Sequence, residues 1–165
     1  MTPWMERSRE ERSLLNPAFC SALLWHAARG CEPVRASSLS FEESFLVLPL
    51  VLHRLTREAL PRDTRTSLAV WLTENPLAQG RIASRAPLLV TCTKEGLLFG
   101  ATYGLLHFHV GTIQADEALR RTITRSLTWS SAEVRECAQR AEFVGKWFGM
   151  AGSGSTVLAM VGVRP

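Results

Sequence analysis

The stretch from Ser130 to Phe148 constrains this chain most. Val134, Cys137, Ala138, Ala141, Val144, Gly145 and Phe148 recur on the i, i+3, i+4, i+7 pattern as one unbroken apolar stripe. Arg135, Glu136, Gln139, Arg140 and Glu142 cover the other side. A helix with one long apolar stripe must bury it against other elements, so the rest of the chain has to supply a core. Ser130 and Glu133 have the spacing of a capping box, and Trp129 and Val134 occupy the positions of a hydrophobic staple. With 165 residues, 46% of them hydrophobic, a core is within reach, and such a chain buries roughly 70% of its unfolded surface.

Other segments read the same way. Asn16-Pro17 is a helix start, because asparagine caps and proline is tolerated at the first helical position. AFCSALLWHAAR follows, apolar almost all round, and stops at Gly30. Ser40 and Glu43 form another capping box ahead of Phe41, Phe45, Leu48, Leu52 and Leu55. Pro49 should kink or restart that helix. Short helices are expected over 64–74, 77–85 and 92–103, with Pro87 ending or bending the second and Leu97, Leu98 and Tyr103 marking the third. LLHFHV (105–110) alternates with period two, Gly111 opens a turn, and 118–126 reads as a returning strand or as a helix. The order of three helices, strand, turn and strand is that of a winged helix-turn-helix. The expected fold is mainly α with a small β-hairpin, a winged-helix-like core plus flanking helices. Residues 1–15 are expected to be a charged, flexible leader and 16–165 a single compact domain.

Composition excludes several classes. No apolar run approaches the ~20 residues needed to span a bilayer, and the N-terminus lacks the apolar block of a secretory signal. No membrane association is expected. Four dispersed cysteines fit reduced thiols in a cytoplasmic protein, with Cys20, Cys92 and Cys137 as small buried apolar residues. The net charge of +4 permits nucleic-acid contact without requiring it.

No chemistry stands out. Residues 149–156 have Walker-like glycine spacing but lack the phosphate-binding lysine, and a helix precedes them instead of a strand. His107 and His109 share a strand face, yet no further ligands lie at compatible spacing. There is no G-x-S-x-G elbow, and adjacent acidic pairs point apart. His26 and His53 sit in apolar helical stretches and read as core or rim residues. No catalytic residue, metal or cofactor is therefore expected. His107, His109, Arg120, Arg121 and Arg125 form a candidate basic surface for nucleic acid. Of five tryptophans, Trp25, Trp71 and Trp147 read as core, while Trp4 and Trp129 lie near element ends.

Three long segments carry a resemblance: ERSREERSLLNPAFC, FEESFLVLPLVLHRLTREALPRDTRTSLAVWLTENP and SSAEVRECAQRAEFVGKWFGMAGSGSTVLAMVGVRP, with TKEGLLFG between the last two. Together they resemble the middle component of bacterial three-component ABC systems. The resemblance implies a small non-catalytic subunit that works with an SMC- or Rad50-like ABC ATPase and a larger effector subunit. Lamassu-type anti-phage systems share that three-part design. It supplies no catalytic residue. On this reading the chain is an adaptor, with Trp147, Phe148, Val157 and Leu158 expected to face a partner, and aspartate at 157 and 158 expected to spare the fold. The alternative is an autonomous winged-helix DNA-binding regulator.

Overall fold

The structure is a computed structural model that describes residues 8, 15–34 and 38–163. Trp4 and nearly all of the leader lie outside the described residues. The described chain is mainly helical with one small three-stranded antiparallel sheet.

Helix α1 (Pro17–Cys31) is the central element. Asn16 Oδ1 accepts from Ala18 N at 2.9 Å, as its position in the sequence predicts. Leu23, Leu24, Trp25, Ala27 and Ala28 are all fully buried, which matches a segment apolar on every side. Strand β1 (Leu39–Ser40) leads into α2 (Phe41–Val51), and the Ser40–Glu43 capping box forms in both directions at 3.1 and 2.9 Å. Pro49 stays inside α2. The chain breaks just after it and restarts as α3 (Arg54–Ala59).

Helix α4 (Leu68–Glu74) begins at the Ser67 cap, later than Thr64. Where two short helices are expected, one continuous helix α5 (Pro76–Thr102) runs straight through Pro87. The reason lies in its buried face. Ala78, Ile82, Ala86, Thr93, Leu97 and Gly100 continue one stripe across the proline. Packing on both sides of the break offsets the roughly 3 kcal/mol that an interior proline costs. There is consequently no turn between 77–85 and 92–103.

Gly104, at φ +70°, turns the chain into β2 (Leu106–His109), and Gly111, at φ +71°, into β3 (Thr112–Ala115). The strand order is β1-β3-β2, with Leu39 opposite Ile113 and Phe108 opposite Ile113 on the other side. The hairpin after the long helix is as expected, but its return strand is 112–115. After a 3-10 turn (Glu117–Leu119), residues 120–128 form helix α6 (Arg120–Thr128). As a strand, 119–127 would place Arg121 and Arg125 on the same face as Ile123 and Leu127. As a helix it sets the arginines opposite those two apolar side chains, which pack on the core. Asp116 caps the entry, accepting from Ala118 N at 2.8 Å.

Helix α7 (Ala132–Met150) carries the long stripe, and Cys137, Ala138, Ala141, Val144, Gly145 and Phe148 are buried as expected. Its cap is Ser131, not Ser130, and Glu133 does not close a box but pairs with Arg57 at 3.0 Å. Trp129 makes no staple, being 87% exposed. Helix α8 (Gly154–Val161) ends at Gly162. The buried apolar residues from Cys20 to Val161 form one cluster.

Candidate interaction surfaces

All four cysteines are buried, and burial pushes the Cys20 thiol up to about 12 and raises that of Cys137. A thiol held in that form is a poor nucleophile. Among the described residues no cluster of His, Cys, Asp and Glu could hold a metal ion. His107 lies 3.5 Å from Asp116, and His109 contacts Gln114 at 3.2 Å, so each imidazole has its own neighbour on the sheet. His53 contacts Thr56 at 2.7 Å, and burial with Arg85 and Arg81 nearby lowers its pKa.

The buried polar groups serve packing. Arg57, 2% exposed, donates to the Val51 carbonyl at 2.8 Å and pairs with Glu133 and Glu136, tying α3 to α7. Glu142 meets Arg29 and Lys146 at 3.1 Å each and lies 3.9 Å from His26 Nδ1. The His26 imidazole, then Lys146 and Arg29, hold the Glu142 carboxyl down at about 2 against the opposing effect of burial.

The surface is more informative. An apolar recess of about 380 Å³ opens between α2, α5 and the α8 end, lined by Phe41, Phe45, Ala86, Pro87, Val90, Leu158 and Val163, with Glu42 and Lys94 as its charged members. A second recess shares Phe41 and Lys94 with it and continues to Leu97, Leu98, Ala101 and Phe108. Together they make one trough along the second half of α5. Its rim is openly apolar: Leu98 is 69% exposed, and Phe41 and Phe108 are more than 40% exposed.

Trp147, Phe148, Val157 and Leu158 lie in the core, none more than 4% exposed. A carboxylate at 157 or 158 would be buried without a partner, so aspartate there disrupts folding, contrary to the expectation that the fold is spared. Two of the four still reach a surface recess from beneath. Leu158 lines the trough, and Trp147 lines a recess of about 400 Å³ with Leu68, Met150 and Met160. The exposed rim residues Leu98 and Phe108 escaped sequence reasoning because their periodicity reads as core. Only their position beyond the buried stripe of α5 and on an edge strand distinguishes them.

The basic residues divide between two places. His107 and His109 are on β2, whereas Arg120, Arg121 and Arg125 are exposed on α6. Arg121 and Arg125 share the outer face, and Arg120 falls on the flank nearer Leu127. No described helix is long and apolar enough to cross a membrane.

No curated protein and no solved structure matches the chain. The sequence model of one family does, over residues 4–165, nearly the whole length. The chain belongs to the family described as ABC-three component (ABC-3C) system Middle Component 3.

Proposed function

We propose that the chain is a non-catalytic adaptor, cytoplasmic, that bridges an SMC- or Rad50-like ABC ATPase and an effector subunit in an anti-phage complex. The trough along α5 carries this reading. Exposed apolar area that is contiguous and concave marks a protein contact more often than does a scattered leucine. Membership of the family supports an occupant from the same three-component system, which we take to be an apolar segment of the ATPase. Leu158 contributes as part of the trough lining, and Val157 and Phe148 belong to the same buried cluster. Trp147 would act at the separate recess beside α4.

The test is co-expression of the chain with the two other components of its system. Leu98→Glu and Phe108→Glu alter exposed rim positions and leave the interior untouched. The wild-type chain should co-purify with the ATPase component, and the double variant should lose it while keeping its own melting temperature. Retention of the ATPase by a folded double variant would overturn the docking surface.

A further inference from the structure

Helix α6 differs from every other helix in its chemistry. It contains three arginines and no acidic residue, and none of its residues is buried. Arg29, Arg54, Arg57 and Arg65 each pair with a carboxylate. Arg120, Arg121 and Arg125 pair with none among the described residues. The nearby carboxylates are engaged elsewhere, Glu117 by Arg29 and both Glu133 and Glu136 by Arg57. Among the described residues the positive charge of α6 is therefore uncompensated.

Trp129 stands at the end of the same face. Arg121, Arg125 and Trp129 follow at i, i+4 and i+8, about 6 Å apart along the helix axis. Ile123 and Leu127 hold the opposite face against the core. The other described tryptophans are at most 3% exposed, and each donates its indole N–H to a carbonyl: Trp25 to Asp116, Trp71 to Ala59 and Trp147 to Thr66, at 2.8–3.0 Å. Trp129 is 87% exposed, and no hydrogen bond or ring contact occupies its indole among the described residues.

We propose that the Arg121–Arg125–Trp129 crest of α6 is a contact surface for single-stranded nucleic acid. Guanidiniums without partners attract phosphates, and an open indole is a platform for an unpaired base. A duplex would offer the phosphates but keep its base faces stacked, which leaves the tryptophan idle. Three hydroxyls around the crest have their hydrogens already committed to backbone. Ser126, Thr128 and Ser130 donate theirs to the carbonyls of Thr122, Thr124 and Ser126. Phosphate pairing and base stacking carry no sequence information, so the contact is expected to tolerate any sequence. This inference goes beyond the adaptor reading and does not depend on it.

The test uses the full chain and a fluorescent oligothymidylate of about 16 nucleotides, the upper site size of common single-strand binders. Binding is followed by anisotropy across a salt series. The wild-type protein should bind the single strand more tightly than the matching duplex or polyglutamate. Arg121→Ala with Arg125→Ala should reduce the slope of log K against log salt by about 1.4. Trp129→Ala should weaken binding roughly tenfold with the slope unchanged, and Trp129→Phe should recover most of the loss. All of these side chains are exposed, and unchanged circular dichroism confirms that each variant is folded. No binding by the wild-type chain, equal or tighter binding of duplex or polyglutamate, or an unaltered affinity in Trp129→Ala would each overturn the proposal.

Discussion

The contact between α1 and α7 and the outer face of α6 are opposite solutions for a helix surface. Where α1 crosses α7, side chains are absent so that backbones can touch. A Cβ on Gly145 would overlap the Ala27 carbonyl, and one on Gly30 would overlap the Glu142 carbonyl. Arg29, Lys146 and Glu142 close the rim of that contact with ion pairs. On α6 the reverse holds. Among the described residues the cations and Trp129 project into solvent with no partner, and Ile123 and Leu127 tether the helix. The first surface spends its chemistry on shape, the second keeps its chemistry available.

Gly145→Ala should break the comparison at its rigid end. The added methyl meets backbone, not the tip of a flexible side chain, so the two helices must separate. Overpacking of that kind costs about 3 kcal/mol, at the upper end of such substitutions. Chemical denaturation should show a midpoint well below wild type. A change under about 0.5 kcal/mol would mean that α1 and α7 are not held in backbone contact.

The rigid region is also where the amino-acid sequence was most legible. The α7 stripe, the Asn16 cap and the Ser40–Glu43 box are local patterns, and each formed as read. Failures came where distant packing decides. Pro87 signals a break, yet a buried stripe on both sides of it carries α5 through. LRRTITRSL fits a strand or a helix by pattern alone, and the need to dock Ile123 and Leu127 without burying Arg121 and Arg125 selects the helix. Of the two proposed surfaces, the arginines were visible as charge. The exposure of Trp129, Leu98 and Phe108 was not, because an apolar residue carries no local mark that its partner is missing from the chain.

Acid should loosen the same contact from its rim. The folded-state pKa of Glu142 is depressed from 4.5 to about 2. A depressed carboxylate contributes stability above its unfolded value and loses it as pH falls through the folded value. The contribution of Glu142 is therefore complete above 4.5 and fades as pH drops toward 2. Urea midpoints of the wild-type chain and Glu142→Gln, compared over that window, should converge with falling pH. Parallel curves would remove Glu142 from the rim's electrostatics.

The smallest expected effect is on α6 itself. Arg121→Ala, Arg125→Ala and Trp129→Ala combined remove three large side chains, far more bulk than the single methyl that Gly145→Ala adds. Even so, none of the three is buried, and among the described residues none of their side chains has a charge partner or hydrogen bond to lose. Alanine is also a better helix former than the residues it replaces, which works slightly in the variant's favour at 121 and 125. Stability should stay within about 0.5 kcal/mol of wild type, a shift in melting temperature of no more than about 2 °C for a chain of this size. A larger loss would mean that the crest braces the fold, in which case its exposure would reflect local packing and the two surfaces would differ in degree, not in kind.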